Sequence, residues 1–374
     1  MLHERMSRAR ARMGELGVDV LLLSVGPDLP YLTGYEAMPL ERLTMLVVPR
    51  DGDASLVVPR LEAPRVEERP DLFTLLPWEE TDDPVELVAN LAGSPDTAAV
   101  GDRTWARFVL ELQARLPRTT FHKASDVMGP LRAVKEEAEI DVLRRAGEAA
   151  DRVAAQLQAG DIALVGRTEA EVSKDIGRRL VAEGHHRVNF AIVGSGPNAA
   201  SPHHDATGRV IQAGEVVLCD FGGTMRGPGP AAAGIGYCSD ITRCVWTGGA
   251  EPPSEFRDLY AVLLEAQQAA VAAATVGTPC EDVDGVARRV ITEGGYGPYF
   301  IHRTGHGIGI EEHEDPYIVG GNCEALTAGH AFSVEPGIYF PGQWGARLED
   351  IVVASDAGPD TLNNVDHALV VVDA

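Results

Sequence analysis

Apolar residues recur along the chain in two periods, short β-branched runs and stripes three or four residues apart, and these predict different elements in different places. Upstream of Gly129-Pro130, an Arg/Met/Leu-rich segment reaching Leu16 predicts a helix. The runs VDVLLLS from Val18, TMLVVP from Thr44 and ASLVVP from Ala54, bounded by Gly, Pro or Asp, predict strands, so this part reads as an α/β domain. From Lys135 the segment KEEAEIDVLRRAGEAADRVAAQL places Ile140, Leu143, Ala146, Ala150, Val153 and Leu157 on one stripe of a long helix. Thr168 with Glu171 forms a capping-box pattern opening a helix that Gly184 closes, and two further helical patterns run from about Ser254 to Ala274 and about Glu281 to Glu293. Between them lie VNFAIV from Val188, EVVLCDFGG from Glu215, SDITRCVW from Ser239, AFSVEPG from Ala331 and RLEDIVV from Arg347. Strands do not strictly alternate with helices there, so the C-terminal part reads as α+β. Gly129-Pro130 punctuates the junction and sets expected domains of residues 1–128 and 129–374.

Composition narrows the function classes. The 374 residues suffice for two domains at roughly 150 residues each. Against 32 Lys+Arg stand 56 Asp+Glu, a formal charge of −24, and a field of that sign repels phosphate backbones and anionic membrane surfaces. Neither nucleic acid nor a membrane is therefore an expected partner. The richest apolar stretch, AVLLEAQQAAVAAATV from Ala261, is interrupted by Glu265, Gln267 and Gln268 and reads as a packed helix. The first helix contains Glu4 and Glu15 and lacks the apolar core of a signal peptide. Cys219, Cys238, Cys244, Cys280 and Cys323 show no CxxC spacing and read as reduced thiols, so the expected location is cytoplasmic.

The informative chemistry lies where acids and histidines interrupt apolar strands. Val216, Val217 and Leu218 lead into Asp220, which Phe221-Gly222-Gly223 follows, so an acid ends a strand where glycine permits close approach. Asp240 opens the next strand, Glu335 sits inside AFSVEPG, and Glu349 sits inside RLEDIVV. One such acid would read as half of an internal ion pair, because a buried carboxylate without a partner is costly. Four of them, with Arg243 and Arg347 able to pair with only some, point to a divalent metal site. His306 lies in HRTGHGIGIEEHE between His302 and His313, with glycines at 305, 307 and 309. One imidazole joined to four carboxylates is a hard, oxygen-rich donor set that suits two Mn2+, Co2+ or Zn2+ ions better than a structural zinc.

In order, Asp220, Asp240, His306, Glu335 and Glu349, within DFGG, SDITR, GHGIG, VEPGIY and RLEDI, resemble the five-ligand signature of the pita-bread metallopeptidases, which include methionine aminopeptidase, aminopeptidase P and prolidase. The likeness spans Leu131 to Val353, and DLPYLTGY from Asp28 is similar to the accessory domain that aminopeptidase P and prolidase carry and methionine aminopeptidase lacks. The resemblance implies an α+β pita-bread catalytic domain of the creatinase/aminopeptidase type behind a smaller N-terminal α/β domain. It implies a dinuclear metallopeptidase that hydrolyses the Xaa-Pro bond of dipeptides, with aminopeptidase P action on longer Xaa-Pro peptides as the alternative. A creatinase-type hydrolase and an inactive binding relative fit less well, because such relatives lack ligands that are intact here.

By the same resemblance, two divalent ions, Mn2+ foremost with Co2+ or Zn2+ as alternatives, are bridged by Asp240 and Glu349; Asp220 completes one, and His306 with Glu335 the other. A bridging hydroxide attacks the scissile carbonyl, and Glu335 shuttles the proton. GPNAASPHH from Gly196 resembles the segment whose histidine, here His203, faces the substrate, and His313 matches the second family histidine; both are expected to bind substrate and polarise its carbonyl. The expected partners are small peptides with proline second and, as a homodimer, a second copy of the chain. Two features depart from the family. MRGPGPAAAG separates Asp220 from Asp240 and reads as an extended hairpin loop near the site. The stretch from Glu314 to Val334, where many prolidases carry an arginine for the substrate carboxylate, holds neither Lys nor Arg, which leaves Arg347, Arg303 or the N-terminal domain to supply the cation.

Overall fold

A computed structural model describes residues 1–227 and 235–372 of the chain. The expected hairpin insertion between Asp220 and Asp240 lies for the most part outside the described residues. Two compact units are present, one built from Met1–Arg132 and the other from Ala133–Arg226 and the chain from Tyr237 onward.

The first unit runs α1 (Leu2–Leu16), β1 (Val20–Leu23), α2 (Asp28–Thr33), β2 (Met45–Pro49), β3 (Ser55–Pro59), β4 (Thr74–Trp78), α3 (Pro84–Ala92), β5 (Thr97–Val100), α4 (Ala106–Arg115), β6 (Thr120–Lys123) and α5 (Ser125–Ala133). Gly129-Pro130, which reads as a break, lies inside α5, and the units divide in its last turn. The sheet order is β4-β3-β2-β1-β5-β6. β1 is buried at every position, as a central strand covered on both faces must be, which is why VLLL is continuous rather than alternating. β4 and β6 are edges, largely half-buried or exposed, so little selects for an apolar pattern there. Val85 and Val88 of α3 and Phe108 and Leu112 of α4 cover Val20, Leu22 and Met45. In DLPYLTGY, Tyr31 donates its hydroxyl to the Leu131 carbonyl at 2.9 Å and Asp28 pairs with Arg132 at 2.9 Å, so this motif fastens the end of the unit.

The second unit opens with α6 (Glu137–Gln158) and α7 (Glu169–Ala182). The stripe read from the sequence is buried from Leu143 to Leu157, whereas Ile140 is half-buried and Glu139 takes the buried place beside it. Glu139 can be buried because it accepts from the Glu136 backbone N–H at 2.8 Å and from the Tyr237 hydroxyl at 2.7 Å. The Thr168/Glu171 capping box forms as predicted at the start of α7. There follow β7 (Arg187–Ser195), β8 (Val216–Arg226), β9 (Gly236–Cys238), β10 (Ile241–Thr247), α8 (Ser254–Ala273), α9 (Cys280–Glu293), β11 (Gly305–Gly307), β12 (Glu314–Ile318), β13 (Ala331–Val334), β14 (Gly337–Phe340), β15 (Trp344–Arg347), β16 (Asp350–Val353), β17 (Asp360–Thr361) and β18 (Val370–Val372).

Two sheets, β18-β10-β8-β7 and β12-β11-β13-β16-β17, and the hairpin β14-β15 organise this unit. The two-residue period of β8 sends Val217, Cys219 and Phe221 toward α6 and α7, where Val153, Leu157, Ile176 and Leu180 cover them. Val216 and Leu218 face the other way, into the core shared with α8, α9, Phe332 and Val352. Asp220 continues that second face, and on β10 Thr242, Cys244 and Trp246 share a face with Asp240. Both aspartates are thus aimed between the sheets by strand geometry alone. Gly222 makes the β8–β10 approach possible, since a Cβ there would fall on the Ser239 carbonyl oxygen and press on the Phe190 ring.

Replacing Gly222 by Ala is therefore expected to destabilise the protein by about 1–3 kcal/mol, the range for an overpacked site. Denaturant unfolding compared with wild type checks this, and an unchanged midpoint would contradict the steric argument.

Candidate metal centre

All five acids and imidazoles read from the sequence as ligands come together at one cavity of about 600 Å3 in the second unit, and His203 and His313 line it as well. Asp220 projects from β8, and Asp240 lies just before β10. Glu335, expected within a strand, follows the end of β13, and its N–H donates to the Thr304 carbonyl at 2.8 Å. RLEDIVV is not one strand either: β15 ends at Arg347 and β16 begins at Asp350, and the corner between them carries Glu349. That corner crosses to the other sheet, where Glu349 forms a backbone bridge with Thr242 and accepts from the Thr242 hydroxyl at 2.7 Å. His306 sits at the middle of β11, where a Cβ on Gly305 would collide with the Ser333 carbonyl oxygen, so glycine lets β11 and β13 close together.

The donor set fits divalent ions. Single atoms of Asp240, His306 and Glu349 lie within 4.8 Å of one another, and all three side chains are buried. Oδ1 of Asp220 and Oδ1 of Asp240 are buried without a hydrogen-bond partner among the described residues, which protein polar groups rarely tolerate. His306 Nδ1 lies 3.1 Å from the Gly307 carbonyl, which can only accept, so Nδ1 carries the proton. Nε2 then presents a lone pair toward Glu335 Oε1 at 3.3 Å and Asp240 Oδ2 at 3.8 Å, the form a metal ligand requires. Burial holds the imidazole down at about 3, with the His313 ring tilted against it at 3.8 Å between ring centroids. Burial, reinforced by their neighbouring carboxylates, pushes the carboxyls of Asp240 and Glu349 well above the usual range and that of Glu335 up to about 7. A cation between them removes that repulsion.

Arg347, expected at the substrate, lines the cavity but makes its hydrogen bonds within the protein. Its side chain is buried, and its Nη2 donates to Asp220 Oδ2 at 2.6 Å and to the Pro202 carbonyl at 3.2 Å. Its Nη1 donates to the Tyr339 hydroxyl at 2.7 Å and its Nε to the Thr242 hydroxyl at 3.1 Å. A guanidinium so engaged ties Asp220 to Tyr339 and Thr242, and these four bonds direct most of its five N–H donors to protein groups. Arg243, the other basic residue near the acids, pairs with Asp350 at 2.7 Å instead of with any of the four.

Further residues complete the site, and of these Ser333 and Tyr339 carry no sequence signal of their own. Ser333 donates to Glu335 at 3.2 Å and accepts from the His306 N–H at 3.0 Å. Tyr339 joins Arg347 to His302, whose Nε2 lies 2.9 Å from the hydroxyl, and burial, with Arg347 nearby, holds the His302 imidazole down at about 4. Arg303 lies over the Tyr317 ring at 4.4 Å and donates to His313 Nδ1 at 3.2 Å. Phe190 and Ile192, on one face of β7, form the apolar wall. The PHH motif divides: His203 lines the cavity, whereas His204 turns to Glu169 at 2.8 Å.

The sequence pattern of Metallopeptidase family M24 matches residues 141–356, and that of the Creatinase/Prolidase N-terminal domain matches residues 5–134. A protein of Mycobacterium tuberculosis named "Probable dipeptidase PepE" is 45% identical over 372 residues, covering 98% of this chain and 96% of its own. An Xaa-Pro dipeptidase of Lactobacillus helveticus is 37% identical over 369 residues, 95% of each chain. The crystal structure of a prolidase from Thermococcus sibiricus superposes with a TM-score of 0.91 at 34% identity over 99% of both chains. With one sequence pattern over most of the second unit, another over the first, and relatives matched from end to end, the chain belongs to metallopeptidase family M24, whose members use divalent metal ions, and carries a Creatinase/Prolidase N-terminal domain ahead of the catalytic one.

Proposed function

We propose that this protein is an Xaa-Pro dipeptidase, hydrolysing the amide bond that precedes proline in a dipeptide. The observation that carries the reading is the convergence of four carboxylates and the His306 lone pair on one cavity that also holds three further histidines and an apolar wall. Relatives named dipeptidase and Xaa-Pro dipeptidase support the substrate class. Asp220, Asp240, His306, Glu335 and Glu349 would hold two divalent ions, Mn2+ foremost because the set is rich in carboxylate oxygen. When bound, such ions lower the pKa of a water and polarise a carbonyl.

The chain's own groups do the rest. Because a guanidinium can only donate, the Arg303 contact leaves His313 Nδ1 as acceptor and puts the proton on Nε2. His313 is therefore a neutral N–H donor for the negative charge that develops on the carbonyl oxygen, and burial, with Arg303 beside it, lowers its pKa in support of that state. His203 serves as the second donor. Glu335, its Oε1 held by Ser333, takes up the proton from the attacking water and returns it to the leaving nitrogen. The tertiary amide before proline offers no N–H, so selection rests on packing of the ring, for which Phe190 and Ile192 supply the surface. With Arg347 committed to Asp220, Arg303 is the cation for the substrate carboxylate, braced on the face of Tyr317. The homodimer implied by the family resemblance and a cytoplasmic location, consistent with five cysteines outside any disulfide, complete the proposal.

Metal-stripped enzyme given Mn2+ is expected to cleave an Xaa-Pro dipeptide and to leave the matching Xaa-Pro-Yaa tripeptide largely intact; preference for the tripeptide would make it an aminopeptidase P. The same addition is expected to raise Tm, by about 2.7 kcal/mol of stabilisation at a hundredfold excess over Kd. His203→Ala and His313→Ala are each expected to lower kcat about 100-fold or more with metal stoichiometry unchanged, as checked by kinetics beside elemental analysis. Arg303→Met is expected to raise KM for the dipeptide by roughly 10-fold or more, the loss of a charged hydrogen bond, and to leave the KM of a dipeptide amide unaffected.

A further inference from the structure

His203 reaches the cavity on a segment with little regular structure, a single 3-10 turn at Gly196–Ala200 followed by loop. That segment is fastened to a carboxylate outside the metal centre. Glu169, the first residue of α7, is fully buried. Its Oε1 accepts from Ser195 N at 2.9 Å, Ser195 Oγ at 2.7 Å and Asn198 Nδ2 at 3.0 Å. Its Oε2 accepts from His204 Nε2 at 2.8 Å, Thr207 N at 3.1 Å and Thr207 Oγ1 at 2.7 Å. The backbone adds a second seam, with Glu169 N–H donating to the Arg209 carbonyl and Ala170 N–H to the Thr207 carbonyl, both at 3.0 Å.

A buried carboxylate is costly unless its lone pairs are filled, and here donors from one short segment fill them. Burial would raise the Glu169 pKa, but the bonds from Thr207, His204 and Ser195 outweigh it and hold the carboxyl at about 2. It stays ionised throughout the neutral range and acts as a fixed anchor. The arrangement around His203 is bilateral. On its N-terminal side, the Pro202 carbonyl accepts from Arg347, the guanidinium that also holds Asp220. On its C-terminal side, the His204 ring is held by Glu169. Both chain neighbours of His203 are therefore tied to a buried charged side chain, and the histidine between them lines the cavity beside Pro202.

We infer that Glu169 is a positioning residue for the proposed peptidase reaction, setting through His204, Asn198 and Thr207 the place from which His203 donates to the substrate carbonyl. The inference rests on the Xaa-Pro dipeptidase reading, and it assigns to a residue with no contact to substrate or metal ligands a share of the transition-state stabilisation. Electrostatic donors lose effect with small misplacement, so a loosened segment costs turnover before it costs binding.

The test compares wild type, Glu169→Gln, His203→Ala and the double variant, each loaded with Mn2+. Glu169→Gln keeps the shape but turns an amide group against donors. It is expected to lower kcat by roughly 10- to 100-fold with metal content unchanged and KM altered less than about threefold. Hydrogen exchange is expected to rise in residues 195–207 and not in the strands that carry the ligands. The decisive outcome is non-additivity: in the double variant, kcat should fall no further than in His203→Ala alone. Multiplying losses, metal lost together with activity, or unchanged exchange in residues 195–207 would each overturn the inference. Should Glu169→Gln fail to fold, Thr207→Val removes one hydroxyl donor and is held to the same criteria with a smaller loss. A wild type inactive on Xaa-Pro dipeptides would overturn the functional reading and the catalytic part of this one, and the exchange arm distinguishes that failure from a clamp that does not exist.

Discussion

Four carboxylates crowded around one cavity, three of them buried and Glu335 partly so, are the constraint to which the catalytic unit is built. Each would be expensive alone, and together they repel, so the fold must supply either protons or positive charge. Arg347 supplies one guanidinium, bound to Asp220 and to the hydroxyls of Thr242 and Tyr339. Divalent ions, which the family implies, would meet the rest of the demand, and this is why the site is proposed as a metal centre rather than a set of internal ion pairs. Two sheets are needed because strand alternation can aim Asp220 and Asp240 from one side only. Glu335, Glu349 and His306 come from the other, and the Thr242–Glu349 bridge joins the two.

Around this centre lies a tier of buried polar clamps set at or near the ends of the elements that carry its residues. Asp284 on α9 accepts from the Thr304 N–H at 3.0 Å and from its hydroxyl at 2.8 Å, at the entrance to β11. Lys135 pairs with Glu314 at 2.6 Å, both buried, one residue beyond His313. Arg243 binds Asp350 and the Glu349 carbonyl, both at 2.7 Å, fixing the corner that carries Glu349. Glu169 does the same for the His203 segment. Part of the acidic excess is therefore not surface: four carboxylates line the cavity, and others, Asp284, Glu314, Asp350 and Glu169, act as clamps. Removing one partner of such a pair leaves a buried charge exposed to no solvent, which is why clamps of this kind resist change singly.

Much of the fold was legible, because local periodicity and caps are local properties. The α6 stripe, the Thr168/Glu171 box and the central strands all follow from spacing, since a strand covered on both faces must be apolar throughout and a helix covered on one must be striped. What escaped were edge strands such as β4 and β6, where water satisfies the ladder and any residue serves. The break at Glu349 also escaped, because a strand that leaves one sheet for another keeps its apolar character through the corner.

At the site, residue type and order were enough to pick out five residues that the fold brings to one cavity, because a hard cation needs carboxylate and imidazole whatever fold delivers them, and such groups are costly among buried strands without a functional demand. Direction and partnership were not in the sequence. Arg347 and Arg303 have the same side chain and both stand close to ligands, yet one is spent on Asp220 and the other lies at the cavity over Tyr317. His203 and His204 are adjacent and chemically identical, yet one faces the cavity and the other is held by Glu169. A side chain's role depends on which distant group is within hydrogen-bonding reach, and that distance is set only when the sheets and helices have packed.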